Sequence, residues 1–225
     1  MRKLVSSMTQ KRFFLTLACM FLMNISVWAQ DESVAPGINE EFKQRPEKWI
    51  EYFHFSSSDP TLQKEILDSL KLKPGMDIAD VGAGSGVHAL LFAEKVLPDG
   101  KVYAVDIVQE FLDHIKAESK EKGIKNVHCV MGSDTSCNLK SSSIDVVFTC
   151  DTYHHFEYPF KMMESIHEAL RPDGQFIIID FKDKSWHVRT DSKTVIEEVI
   201  RSGFKLMDSR EFLNRFFIAR FSVEK

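Results

Sequence analysis

The chain is 225 residues long, 44% hydrophobic and 28% charged, with a formal net charge of −4 at neutral pH. That length and balance suit one globular domain with a full core and exclude an intrinsically disordered chain. The mild acidity gives no basic groove for nucleic acid, and the 18 phenylalanines read as filling for a core and a C-terminal hairpin.

Arg2, Lys3, Lys11 and Arg12 precede an apolar run over 13–27, and Val27-Trp28-Ala29 resembles a small-residue cleavage site before Gln30. This is the pattern of an export signal. The expectation is a signal peptide over 1–29, cleaved after Ala29, and an extracytoplasmic location, periplasmic or secreted. The run is shorter than the roughly 20 apolar residues of a membrane span, so no stable span is expected after cleavage. Cys19 would leave with the signal. Cys129, Cys137 and Cys150 then form an odd set without Cys-x-x-Cys spacing, so neither a disulfide framework nor a metal site is expected. Cys129 and Cys150 fall in strands expected to be buried.

Residues 30–59 carry Pro36, Gly37, Pro46 and several charges, and read as an exposed arm with a short helix over 49–54. Two readings of the arm stand side by side: a lid with Trp49, Tyr52 and Phe53 facing an acceptor, or a segment packed on the sheet with no chemical role. Asp59 before Pro60 is a helix start, an N-cap followed by proline at the first helical position. Leu62, Ile66, Leu67 and Leu70 give that helix one apolar face. The main domain is expected over 60–225.

The stretch Met76-Asp77-Ile78-Ala79-Asp80-Val81-Gly82-Ala83-Gly84-Ser85-Gly86-Val87-His88 runs from an apolar strand through a glycine loop into a helix. Glycines at alternate positions allow left-handed dihedrals and leave no Cβ against a ligand, as at the first crossover of a nucleotide-binding sheet. A dinucleotide loop would read Gly-x-Gly-x-x-Gly. Here Val87 stands in the place of the third glycine, Asp80 closes the strand, and the loop has no Lys or Arg. A carboxylate is a poor neighbour for a pyrophosphate and a good one for a cation.

At this point the chain resembles the class I S-adenosylmethionine-dependent methyltransferases, whose first motif is an acidic residue followed by Gly-x-Gly-x-Gly. The donor is a sulfonium with an ammonium and no phosphate, which matches the loop. Strand 102–105 ends at Asp106, 20 residues beyond Gly86 (106 − 86 = 20), the spacing at which a carboxylate reaches a ribose diol. The resemblance implies that Asp80, Gly82, Gly84, Gly86, Asp106 and Ile107 hold the cofactor, S-adenosylmethionine. Asp80 has a plainer alternative as a cap of the next helix.

A helix over 109–122 stops at Gly123, and strand 127–131 leads to Gly132-Ser133-Asp134. The family commonly places an acceptor for the adenine amine here, and either Ser133 or Asp134 fits. Strand 144–150 runs into Asp151-Thr152-Tyr153-His154-His155-Phe156, at the carboxyl end of a strand beside the central one, where ligands sit in open α/β sheets. Asp151 joins the cofactor set by resemblance. His154 and His155 are candidate bases, and as neighbours they cannot both face the substrate. Tyr153 is a candidate wall of the pocket. A helix over 159–170 is expected to turn Met162 and Met163 inward as core. Leu170-Arg171-Pro172-Asp173-Gly174-Gln175 resembles the family's Leu-(Lys/Arg)-Pro-Gly-Gly turn, followed by a buried strand over 175–181, a helix over 191–200, and a hairpin of 205–212 and 216–221.

The implied fold is α/β: a Rossmann-like, seven-stranded, mostly parallel sheet with helices on both faces and a C-terminal antiparallel hairpin. The implied activity is methyl transfer to the O, N or C atom of a small-molecule acceptor, similar to the ubiquinone/menaquinone-biosynthesis group. No Asn-Pro-Pro-Tyr sequence is present, so a nucleic-acid base is not expected as acceptor. The alternatives are an NAD-dependent oxidoreductase and a non-catalytic extracytoplasmic binding module. The export reading makes its own prediction. Fractionation with N-terminal sequencing should find a mature chain beginning at Gln30 outside the cytoplasm, and a cytosolic product beginning at Met1 would refute it.

Overall fold

The computed structural model describes residues 32–223, so the expected signal peptide and its cleavage site lie outside the described residues. Helices α1 (Glu40–Gln44), α2 (Pro46–Ser57) and α3 (Pro60–Leu70) precede the sheet. Then follow β1 (Ile78–Val81), α4 (Val87–Lys95), β2 (Val102–Asp106), α5 (Gln109–Glu121), β3 (Val127–Met131) and β4 (Ile144–Cys150). A 3-10 turn over Tyr153–His155 leads to α6 (Pro159–Ala169), β5 (Leu170–Phe181), α7 (Ser192–Arg201), β6 (Phe204–Phe212) and β7 (Phe216–Val223). No helix among the described residues is long and apolar enough to cross a membrane.

The strands form one seven-stranded sheet in the order β3-β2-β1-β4-β5-β7-β6. β1 to β5 run parallel, and β7 is antiparallel to both β5 and β6. The chain moves outward from β1 through β2 to β3, then returns to the other side of β1 at β4. That reversal opens a crevice at the carboxyl ends of β1 and β4.

Alternation along the strands divides the core between the two faces of the sheet. Ile177 and Ile179 join Phe92, Phe148, Ile66 and Ile115 under α3, α4 and α5. Phe176 and Ile178 join Met163, Ile166, Val195 and Val199 under α6 and α7. The expected helix start at Asp59 is present: its carboxylate accepts from the Leu62 amide at 2.8 Å. Asp191 does the same for α7, accepting from the Thr194 amide at 2.9 Å.

Three expectations change. The arm holds two helices instead of one short one, because Pro46 starts a second helix immediately after the first ends. Residues 171–174 do not separate a turn from β5. Leu170 already pairs with Ile144, and the ladder resumes at Gln175 opposite Val146, so the motif is a bulge carried within the strand. Cys129 and Cys150 are only half-buried, Cys129 because β3 is an edge strand and Cys150 because it stands at the carboxyl end of β4 beside the crevice, while Cys137 is fully buried among the described residues. The bulge also has a structural task. Arg171 reaches Asp77 and Asp145, and Asp145 accepts from the Asp77 amide, which joins the amino ends of β1, β4 and β5 opposite the crevice.

Gly86 is the glycine of the loop that serves packing. A Cβ there would stand 2.5 Å from Ile115 Cγ1, and its φ is +78°. Gly86→Ala is therefore expected to destabilise the fold by about 2–4 kcal/mol, overpacking plus left-handed strain. Urea denaturation measures it, and a midpoint unchanged from wild type would show that α4 and α5 are free to part.

Candidate functional site

The crevice between the carboxyl ends of β1, β2 and β4 is a cleft of about 890 Å³, part of it open to solvent. That is within the usual range of small-molecule sites. Its floor is the glycine loop. Gly82 has φ +78°, and a Cβ on it would stand 2.2 Å from Thr152 Cγ2, so the loops after β1 and β4 touch through the missing side chain. The Gly82 and Ala83 amides donate to the Val105 carbonyl at 2.9 and 3.0 Å. This leaves Gly84 facing the end of β2, where its amide donates to Asp106 Oδ2 at 2.9 Å. The other oxygen of Asp106 accepts from the Val108 amide at 3.0 Å.

Asp106 and Ile107 line the cleft as expected, with Gly82, Gly84, Ser133, Asp134, Asp151 and His155. Burial pushes the Asp106 carboxyl up to about 6, against the pull of the Gly84, Val108 and Ile107 amides. Ser133 and Asp134 differ in what they have left to offer. Ser133 Oγ is 3.4 Å from Thr135 Oγ1, whereas Asp134 Oδ1 is buried with no partner among the described residues. Asp134 is thus the free acceptor at the end of β3.

Four expected site residues are placed elsewhere. Gly86 does not line the cleft and faces Ile115. Asp80 lies beneath the loop, fully buried, with Oδ2 unpartnered. Burial first, and then the charge of Asp106, raise it to about 7, against the Ala89 amide in the first turn of α4. Its contact is with the helix start, and its influence on the cleft is through charge. Tyr153 is no wall of the pocket: it is 0% exposed in the core and its hydroxyl donates to Glu198 Oε2 at 2.9 Å. His154 is also withdrawn, at 1% exposure, with Nδ1 2.8 Å from Asp180 Oδ1. The two rings pack on each other at 4.2 Å, with His155 on the cleft side and His154 behind it, held by Asp180.

The arm forms the roof. Asn39, Phe42, Phe53, Ser56 and Ser57 line the cleft, and Phe53 rests on Gly84. The Asn39 amide group donates to the His155 carbonyl at 3.2 Å, and the Val34 amide to the Glu157 carbonyl at 2.9 Å. Of the aromatics expected to face an acceptor only Phe53 does. Trp49 packs behind it, and Tyr52 is 53% exposed. Met162, expected as core, is buried and also reaches the cleft wall.

Sequence reasoning missed three contributors. His88, two residues past the last glycine, lines the cleft with Nε2 buried and unpartnered, and burial lowers it to about 4 so that it stays neutral. Phe42 meets the His155 ring at 4.9 Å. Thr152 donates to the Cys150 carbonyl at 2.8 Å and fills the space that Gly82 leaves. The signal for His88 was available, since the first turn after a glycine loop faces whatever the loop binds. The amphipathic pattern of the arm gave no comparable sign for Phe42.

The donor atoms of Asp151, His154 and Asp180 lie within 4.8 Å of one another. Asp180 already accepts from His154 Nδ1 and from the His154 and Phe181 amides, which uses most of its acceptor capacity. The trio is thus internally hydrogen-bonded at one end and open to the cleft at the other, where Asp151 stands.

Comparison with known proteins agrees with this geometry. A family described as a methyltransferase domain matches residues 72–213. The chain is 33% identical over 121 residues to a protein-L-isoaspartate O-methyltransferase of Pyrococcus horikoshii, covering 54% of this chain and 51% of that protein. It is 30% identical over 112 residues to the nocamycin O-methyltransferase of Saccharothrix syringae, covering 50% of this chain and 40% of that one. The chain thus spans about half the length of the curated relatives it matches, or less. Among solved structures, a SAM-dependent methyltransferase from Aquifex aeolicus superimposes with a TM-score of 0.68 at 23% identity, covering 73% of this chain and 94% of that one.

The buried carboxylates give a pH dependence. With folded pKa values near 7 for Asp80 and 6 for Asp106, the folded chain holds protons that the unfolded chain releases above about pH 4. Stability then falls as pH rises through that window, because the unfolded state binds fewer protons there. The ligand-free protein should melt with a steeper loss of Tm between about pH 5 and pH 8 than its Asp80→Asn variant. Parallel Tm profiles for the two proteins would contradict the burial of an ionisable Asp80.

Proposed function

The chain belongs to the methyltransferase-domain family, with S-adenosylmethionine as its methyl donor, and from that premise we propose that it methylates a small acceptor that is uncharged or cationic. The observation that carries the reading is the Asp106 carboxylate, fixed to the Gly84 amide and open to the cleft. A ribose diol needs acceptors for both hydroxyls, and this carboxylate retains capacity after its two amide bonds. Asp134 Oδ1, buried and unpartnered, suits the adenine amine. The backbone of Gly82 and Gly84 lining the cleft, with the Asp80 carboxyl beneath, suits a cationic methionine end. Bound there, the donor presents a methyl group on a sulfonium.

The acceptor's class follows from the lining. Asp106, Asp134, Asp151 and Glu157 face the cleft, and no lysine or arginine does among the described residues. A phosphate or carboxylate acceptor would meet like charge in a partly desolvated site. The same lining disfavours the pyrophosphate of NAD and with it the oxidoreductase alternative. The two O-methyltransferase relatives act, by their names, on isoaspartyl protein and on nocamycin. The present cleft suits the second kind of acceptor, a small molecule, better than a carboxylate. Phe42, Phe53, Phe156 and Met162 surround the cleft with apolar surface, which excludes water and holds an acceptor in line with the transferring bond. The extracytoplasmic location read from the N-terminus belongs to the same proposal, and it requires a supply route for a charged donor that does not cross a bilayer unaided.

Isothermal titration tests the reading. S-adenosylhomocysteine should bind and NADH should not, and Asp106→Ala should weaken S-adenosylhomocysteine by at least about tenfold, the loss of a charge-assisted hydrogen bond. Absence of heat with S-adenosylhomocysteine, or equal affinity in the variant, would sink it.

A further inference from the structure

Methyl transfer to an oxygen, nitrogen or sulfur that carries a hydrogen needs a group to take the proton, and the cleft offers few. His155 lines it, but burial first, and then the neighbouring His154 and His187, lower its pKa to about 3. His88 is lowered to about 4. Both imidazoles are therefore weak bases near neutral pH. Of the carboxylates that line the cleft, Asp106 is held by the Gly84 and Val108 amides and faces the donor's ribose, Asp134 is assigned to the adenine amine, and Glu157 accepts from the Gly37 amide of the arm at 3.4 Å. Asp151 remains.

Asp151 ends β4 with φ +54°, a left-handed conformation that a residue with a side chain seldom adopts, and its amide donates to the Ile179 carbonyl at 2.9 Å. Aspartate tolerates this region better than most residues, and here the turn of the backbone aims the side chain off the end of β4 towards the cleft that it lines. What surrounds it is the buried histidine. His154 Nδ1 bonds Asp180 Oδ1 at 2.8 Å, so that nitrogen carries a proton, and Nε2 on the far side of the ring lies 3.9 Å from Asp151 Oδ1. Asp180 is held in turn by the His154 and Phe181 amides at 3.2 and 2.7 Å. The result is a line of three groups, from a buried carboxylate through an imidazole to a carboxylate on the cleft wall.

We propose that Asp151 is the general base of the reaction and that His154, suspended from Asp180, is the positioning residue that aims the Asp151 carboxylate at the acceptor. This rests on the methyltransferase reading, and it narrows the acceptor to a protic nucleophile: a hydroxyl, a thiol or an amine. The acceptor's lone pair forms the new bond to the methyl carbon, and the S–CH3 bond breaks with its electron pair going to sulfur. The acceptor's proton passes to Asp151 and from there to solvent.

The charges around the line support the assignment. Burial first, and then Asp180, raise Asp151 to about 7, against His154 and the Arg215 side chain of the β6–β7 hairpin. Burial alone would lower His154, but its bond to Asp180 and the charges of Asp180 and Asp151 outweigh that, against Arg189. The rings of His155 and His187 also flank His154 at 4.2 and 6.0 Å. A cation at His154 holds down the pKa of Asp151. Removing that cation must therefore move Asp151 to higher pH.

The full chain with S-adenosylhomocysteine bound, labelled with carboxyl carbon-13, provides a test that needs no acceptor. Asp151→Asn assigns the resonance. Its titration midpoint should lie near 7 and move to higher pH in His154→Gln; a midpoint in the ordinary aspartate range, or one unmoved by the substitution, would overturn the proposal. Transfer of label from methyl-labelled S-adenosylmethionine to a small-molecule cell extract should fall at least about a hundredfold in Asp151→Asn, a typical loss for a general base. Affinity for S-adenosylhomocysteine should stay within about threefold of wild type, since Asp151→Asn keeps the shape of the cleft. Retained transfer in that variant would also overturn it, as would transfer abolished by EDTA and restored by magnesium, because the trio would then serve a cation. A wild-type chain that binds no S-adenosylhomocysteine, or binds it and transfers no label, would instead sink the methyltransferase reading.

Discussion

The site depends on a carboxylate that has been taken out of water and given backbone amides in exchange. Asp106 closes β2, and its two oxygens accept from Gly84 on the loop after β1 and from Val108 at the start of α5. Neighbouring parallel strands and the turns that leave them are thus joined at one anion. Burial of an ionised carboxylate is unfavourable unless its hydrogen bonds are supplied. The loop supplies its share, the Gly84 amide, only in the left-handed conformation that glycine permits, at φ +52°. The shape of the floor and the charge at its centre therefore have one origin.

Much of this was legible in the residues. The glycine loop, the acid 20 residues beyond it, the boundaries of β3 and β4 and the cap at Asp59 follow from local chemistry, and local chemistry decides them. Residue 86 was read as part of the ligand loop because spacing alone does not say which glycine faces a ligand and which faces a helix. The pentad from Asp151 to His155 was legible as a site and illegible in detail. A 3-10 turn sends Tyr153 to Glu198, His154 to Asp180 and His155 to the roof. Each of those partners lies on another element, so no pattern within the pentad announces them. Asp180, which follows three isoleucines in β5, gave no sign of its second task as the buried anchor of His154. In the arm, Phe42 and Phe53 reach the cleft while Tyr52 does not, because the start of a second helix at Pro46 rotates the faces in a way that one short helix would not.

Electrostatics distinguish the two ends of the sheet. At the amino ends, Asp77 and Asp145 share Arg171, so each carboxylate there has a cationic partner. At the carboxyl ends, Asp80, Asp106 and Asp151 are each raised above the usual carboxylate range by burial. No lysine or arginine lines the cleft among the described residues, and the positive charges that offset its carboxylates, His154 and Arg215 near Asp151 and Lys43 near Asp134, act from outside the lining, which leaves the cleft itself complementary to a cation. Such complementarity is greatest while the positive charge is on the ligand and declines once that charge has been discharged.

The contact between Gly82 and Thr152 links the histories of two distant stretches of chain. A side chain at 82 would occupy the volume that Thr152 fills, at a separation of 2.2 Å from its methyl carbon. Enlarging one position is compatible only with shrinking the other, and the left-handed backbone at 82 adds a penalty of its own. Substitutions at the two positions are therefore epistatic. The loops after β1 and β4, separated by some 70 positions in sequence, must drift together or hardly at all.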